Sequence, residues 1–121
     1  MIATRGLTHI HLAVRDLQRS LHFYCDVFGM REKFWAGDSM VFLGTPGAAD
    51  SITLRQAAPG EPAGPGGGID HFGFRLRRKA DLDAAVAAVE AAGGKLVERG
   101  QHGRGLPFAY VTDPDGYKIE L

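Results

Sequence analysis

Two stretches of this chain share one pattern. Residues 8–14 read THIHLAV and residues 70–76 read DHFGFRL, and each places a histidine (His9, His71) at the head of a short strand whose following alternate positions are apolar. What comes after each stretch also matches. Asp16 is an N-cap for a helix whose stripe is Leu17, Leu21, Tyr24 and Phe28, stopped by Gly29; Asp81 caps a second, with Leu82, Val86 and Val89 as the stripe and Gly93 as the stop. Helices are therefore predicted over residues 17–28 and 81–92. Short strands follow in both copies, near 33–35, 40–43 and 51–56 in the first and near 95–99, 108–112 and 117–121 in the second. The endings match as well: Ile52-Thr53-Leu54 corresponds to Ile119-Glu120-Leu121.

Between the copies, residues 57–68 (AAPGEPAGPGGG) are Gly or Pro at eight of twelve positions, which supports neither a ladder nor a helix. The chain of 121 residues is thus predicted to be one α+β domain, residues 1–121, of two tandem βαβββ modules, 5–56 and 69–121, joined by a linker at 57–68. Each module is too small to bury a face alone, so the two are expected to pack on each other or on a partner chain.

Composition removes several functional classes. Lys plus Arg equals Asp plus Glu at 14 each, with no basic block, so nucleic acid is not an expected partner. No apolar run approaches a membrane span, and MIATRG lacks the regions of a signal peptide, which predicts a cytoplasmic protein that does not engage membranes. Cys25 is the single cysteine, which excludes an internal disulfide and a Cys-rich zinc cage. The candidate chemistry rests on five histidines, His9, His11, His22, His71 and His102.

Strand alternation assigns these residues to faces. Ile10, Leu12 and Val14 turn toward the helix stripe, while His9, His11 and Ala13 turn away; Phe72, Phe74 and Leu76 oppose His71, Gly73 and Arg75. In the matching end strands Thr53 and Arg55 share one face, and Lys118 and Glu120 the other copy's equivalent. Such a face can simply meet solvent. Two histidines at matching heads and an acid at a matching tail are, however, the donor types that hold a divalent transition metal while leaving positions for substrate. Fe, Mn, Zn, Ni and Co all suit the set His9, His71 and Glu120, and the sequence does not choose among them. His11, on the same face two residues from His9, is a candidate base or substrate contact, or a polar residue of the open face.

The segments HIHLAV, RDLQRSLHFYCDVFGM, DHFGFRL and DPDGYKIEL, at these spacings, resemble the signatures of the vicinal oxygen chelate superfamily. That superfamily includes glyoxalase I, extradiol dioxygenases, fosfomycin-resistance enzymes, methylmalonyl-CoA epimerase and bleomycin-resistance binding proteins. The resemblance covers essentially the whole chain. It implies paired βαβββ modules whose mixed sheet curls into a cup, with metal-ligand positions at His9, Thr53, His71 and Glu120. It also implies a homodimer in which His9 of one chain meets His71 and Glu120 of the other.

Thr53 departs from the pattern, since glyoxalase I enzymes carry a carboxylate there and use four protein ligands. A His, His, Glu set resembles instead the extradiol dioxygenases and the manganese-dependent fosfomycin enzymes. Both of those groups also place a tyrosine ten residues before the last ligand, as Tyr110 stands before Glu120. Neither subfamily matches throughout. The region 51–53 holds no histidine of the kind extradiol enzymes use as a base. GQHGRGLPF stands where fosfomycin enzymes have a serine-rich loop.

The expected function is a metal-dependent enzyme acting on a small substrate that chelates through two adjacent oxygens, with ring cleavage ahead of epoxide opening or isomerisation. The other class is a metal-free protein of the bleomycin-resistance type that sequesters a small molecule. Expected catalytic residues are His11 and Tyr110. Trp35, Thr53, Arg55, Arg75 and Phe108 are the expected substrate contacts, and His102 and Arg104 in the loop QHGRGLP are candidates for a lid.

Overall fold

The structure is a computed structural model that describes residues 8–66 and 71–121. The expected module starts at residues 5 and 69, and Asp70, lie outside the described residues. The first unit runs β1 (Ile10–Val14), α1 (Leu17–Phe28), β2 (Arg31–Trp35), β3 (Met40–Gly44) and β4 (Ile52–Gln56). The second runs β5 (Phe72–Gly73), α2 (Leu82–Ala91), β6 (Lys95–Gln101), β7 (Pro107–Thr112) and β8 (Lys118–Glu120). Each forms a four-stranded mixed sheet, ordered β1-β4-β3-β2 and β5-β8-β7-β6. The two sheets share one plan: the first strand pairs parallel with the last, and the others pair antiparallel. The expected α+β class and tandem βαβββ order are what the chain adopts.

Helix α1 forms as its stripe and caps require. Asp16 accepts a hydrogen bond from the Arg19 N–H, and Gly29, at φ 65°, closes the end in the left-handed region that favours glycine. Leu17, Leu21 and Tyr24 are buried, together with Phe23. Helix α2 buries Leu82, Val86 and Val89 as expected, but Asp81 is not its side-chain cap. Instead Asp81 lies in a 3₁₀ turn, Lys79–Asp81, and pairs with Arg78 three residues back. The guanidinium, a stronger partner for the carboxylate than a backbone amide, has taken it.

Strand β5 is shorter than the alternation through Leu76 predicts. Its partner β8 spans only Lys118–Glu120, and among the described residues the pairing ends with the Phe74 N–H bond to the Glu120 carbonyl.

The units pack on each other through one strongly polar seam. The β7–β8 turn presses Asp113 and Asp115 onto α1. Asp113 Oδ2 accepts from Tyr24 Oη at 3.0 Å, while its Oδ1 accepts from the Asp115 and Tyr117 N–H groups, each at 2.9 Å. Asp115 accepts from Ser20 Oγ and Arg19, both at 3.0 Å, and from Arg15. Burial raises the Asp113 pKa from its ordinary value against the pull of its three donors, and burial beside Asp113 raises that of Tyr24 well above the ordinary phenol value. Phe28 stacks on Phe74 at 4.0 Å beside this seam.

Candidate functional site

Register decides which side chains share a face. His11 lies opposite Thr53, and Phe42 opposite Thr53 on the other side; Gly73 lies opposite Glu120, and Tyr110 opposite Glu120. Two matched triplets result: His9, Phe42 and Thr53 in the first sheet, His71, Tyr110 and Glu120 in the second.

The second triplet is drawn tightly together. His71 Nε2 is 3.1 Å from Glu120 Oε2, and the His71 ring meets Tyr110 edge-on at 4.9 Å. Phe108 leans on Tyr110 at 5.1 Å, and Lys118 Nζ sits over the Tyr110 ring at 5.2 Å. His102 completes the cluster: its Nε2 lies 2.8 Å from Glu120 Oε1 and its ring stacks on Phe108 at 4.2 Å. The sequence marks His102, with Arg104, only as a candidate for a lid. Its place within the same unit as His71 and Glu120 was the one signal for a closer role.

The first triplet is looser. His9 is exposed, with Nδ1 3.0 Å from Thr8 Oγ1 and its ring edge-on to Phe42 at 6.0 Å. Thr53 is 0% exposed, and its Oγ1 has no hydrogen-bond partner among the described residues. Among the described residues, no three His, Cys, Asp or Glu side chains gather into a metal-holding group, so within one chain His9 does not join His71 and Glu120. The two units do share walls. Thr8 to Ile10 and Phe72 to Phe74 line a cleft of about 220 Å³. His11 and His71, with Tyr117 and Lys118, line a larger groove of about 510 Å³.

Three expected substrate contacts, Trp35, Arg55 and Arg75, have settings of their own apart from the second triplet. A β-bulge between Glu32 and Phe34 shifts the β2–β3 register, so Phe34 rather than Lys33 pairs with Phe42 and stacks on it at 4.2 Å. Trp35 pairs with buried Val41 on the other face and donates its indole N–H to Glu32. Arg55 is engaged by Glu61 in a two-pronged ion pair, which holds the Glu61 carboxyl at about 2. Arg75 lies past the end of β5, on clefts walled by Phe74, Leu76 and Arg77. Phe108, by contrast, stands against Tyr110 of the second triplet.

The donors present fit a divalent ion in part. Two ligands at about 2.1 Å and a right angle are about 3.0 Å apart, close to the observed His71–Glu120 separation of 3.1 Å. One imidazole and one carboxylate are a half-site, one donor short of a set that leaves positions open.

With this geometry in place, comparison with known proteins defines the class. A family model described as the Glyoxalase/Bleomycin resistance protein/Dioxygenase superfamily matches residues 6–121, and the chain belongs to that superfamily. A probable lactoylglutathione lyase of Synechocystis is 33% identical over 95% of this chain and 92% of its own length. The lactoylglutathione lyase of Haemophilus influenzae is 33% identical over 95% and 90%. The crystal structure of a glyoxalase/bleomycin resistance protein from Albidiferax ferrireducens superposes with a TM-score of 0.73 at 32% identity, covering 94% of each chain. These relatives do not support the expected preference for ring cleavage over glyoxalase-type chemistry.

Proposed function

We propose that the protein is a metal-dependent enzyme of the lyase type, acting on a small substrate that offers two adjacent oxygens. The observation that carries this reading is the pairing of His71 and Glu120 at 3.1 Å beside Tyr110, while His9 stands ready at the matched position of the other unit. The lyase class is favoured by relatives at 33% identity that bear that name over nearly their whole length.

His9, His71 and Glu120 hold the ion, with His9 supplied by a second copy of the chain in a homodimer. A divalent ion there supplies Lewis-acid stabilisation of charge developing on the two substrate oxygens. His11, on the wall of the groove it shares with His71, is the base within reach of a bound substrate. The Tyr110 hydroxyl donates to a substrate oxygen, and Phe108 with Tyr110 walls off water on the side of Glu120. The reading takes residues 1–121 as one domain at work in the cytoplasm.

The test is a titration of the purified full chain with Fe(II), Mn(II), Co(II), Ni(II) and Zn(II) by calorimetry, beside the Glu120→Ala variant. At least one ion is expected to bind the wild type and to bind the variant about 100-fold more weakly or worse, a second-sphere loss alone being worth 10- to 100-fold. The loaded protein should form lactoylglutathione from the glutathione hemithioacetal of the matching 2-oxoaldehyde and leave a catechol ring intact. If no ion distinguishes the two proteins, the enzyme reading falls and sequestration of a small molecule takes its place.

A further inference from the structure

Glu120 is held by two imidazoles, one on each oxygen. Oε2 faces His71 Nε2 at 3.1 Å, and Oε1 faces His102 Nε2 at 2.8 Å. The second contact is a full hydrogen bond in length, shorter than the first, and it reaches Glu120 from the β6–β7 loop across the face of the sheet. That loop is built to deliver it. The His102 N–H bonds the Leu106 carbonyl at 2.8 Å, closing the loop, and Lys79 Nζ pins the Gly105 carbonyl at 2.9 Å. Gly103 and Gly105 take positive φ values of 63° and 71°, which a side chain would resist. Phe108 lies flat under the imidazole at 19°, and Gly100 makes room for it: a Cβ there would stand 2.6 Å from the Phe108 ring.

We infer that His102 is a positioning residue for Glu120. Its Nε2–H donates to Oε1, fixes the carboxylate's rotation, and leaves Oε2 as the oxygen that shares an ion with His71. The inference rests on the metal-binding reading above. Its physical basis is general: a ligating carboxylate swings freely about its last torsion unless its other oxygen is held, and supporting partners of this kind set metal affinity. The separation of roles follows from the geometry. With His102 committed to one oxygen and His71 beside the other, the three groups do not converge on one point, in keeping with the lack of a three-donor group among the described residues.

The experiment is a calorimetric Co(II) titration of full-length wild type, His102→Ala and His102→Gln, paired with pulsed EPR on the Cu(II)-loaded proteins to count imidazole ligands. His102 is 56% exposed, so both variants should keep the wild-type urea midpoint. His102→Ala should bind Co(II) about 10- to 100-fold more weakly. His102→Gln, whose amide N–H still donates, should regain most of that loss, and all three proteins should show the same imidazole count. Wild-type affinity in His102→Ala overturns the inference while leaving the metal site standing. Loss of one imidazole in His102→Ala overturns it differently, by making His102 a ligand. No Co(II) binding by the wild type overturns both this inference and the metal reading.

Discussion

His9 meets the Phe42 ring edge-on at 61°, and His71 meets Tyr110 edge-on at 63°; Phe42 pairs with Thr53 as Tyr110 pairs with Glu120. The same frame therefore carries two different chemistries. In the first unit the positions facing the histidine are a phenyl ring and an orphaned hydroxyl, while in the second they are a phenol and a carboxylate with two imidazole partners. The position beside the tail residue differs in the opposite sense. His11 stands next to small Thr53, and Gly73 next to larger Glu120, where a Cβ would lie 3.3 Å from the Glu120 carbonyl oxygen and 3.5 Å from its Cβ. Even the β-bulge is repeated, between Glu32 and Phe34 and again between Leu96 and Glu98. The core face hardly varies, with Ile52 and Leu54 matched by Ile119 and Leu121. The lesson is that packing constrains one face of each sheet, which leaves the other free to diverge, with a carboxylate between two imidazoles in one unit and a phenyl ring beside a buried hydroxyl in the other.

The seam between the units is asymmetric in the same way, and breaking it should give the largest effect. The β7–β8 turn docks two buried acids on Ser20 and Tyr24 of α1, whereas the matching positions on α2 are Ala85 and Val89, and the β3–β4 turn keeps Asp50 exposed. Asp113→Ala strands the Tyr24 hydroxyl and two backbone N–H groups, so urea unfolding should show a loss of about 3 kcal/mol or more. Asp50→Ala, which removes one exposed hydrogen bond to the Thr45 N–H, should cost within about 1 kcal/mol. Equal losses would mean that the polar seam does not hold the units together.

The asymmetry of the proposed ligand set can be undone by making the first unit resemble the second. The double variant His11→Gly, Thr53→Glu places a carboxylate at the matched tail and frees the room that Gly73 provides for Glu120. It should tighten Co(II) binding about tenfold, roughly 1.4 kcal/mol, by adding a fourth donor. Thr53→Glu alone should gain less, because the 0% exposed site leaves the longer side chain no path past His11. A smaller effect sharpens the comparison from the other side. Thr53→Val removes an unpartnered buried oxygen and should stabilise the fold by about 1 kcal/mol in urea. Glu120→Leu should not, because it leaves His71 and His102 without their shared acceptor.

The repeat was legible because the same order of histidine head, helix stripe and apolar tail, met twice, leaves few ways to fold. It led to His71 and Glu120 and to the buried stripes of both helices, while the family resemblance pointed to Tyr110, and the structure brings His71, Tyr110 and Glu120 together. What the sequence hid depends on contacts no periodicity encodes. One bulged residue at Lys33 exchanges the faces of Phe34 and Trp35, and nothing in REKFW announces it. His102 reaches Glu120 through space from a hairpin loop. Asp113 and Asp115 read as turn residues in DPDG, and only the docking of that turn on α1 turns them into the seam. Asp81 had every mark of a cap and found a guanidinium closer.

The smallest expected effect concerns how the linker leaves the first unit. Arg55 at the end of β4 grips Glu61, which also accepts the Ala58 N–H at 2.8 Å, so the Gly- and Pro-rich stretch is fastened to the first sheet near its start. The Arg55 hydrogen bonds, with the Ala58 amide second, hold the Glu61 carboxyl at about 2 against an ordinary 4.5. A carboxylate whose folded pKa is depressed stabilises the fold fully above its unfolded value and loses that contribution as pH falls through the folded one. The contribution of Glu61 is therefore complete above about pH 4.5 and fades toward pH 2. Glu61→Gln should lower the melting temperature slightly at pH 6, the small size following from the pair's exposure to solvent and screening by salt. The gap between wild type and variant should close as both are melted at successively lower pH across that window. A gap that stays constant down to pH 2 would mean that the amide loss at Ala58, and not the charge on Glu61, accounts for the difference.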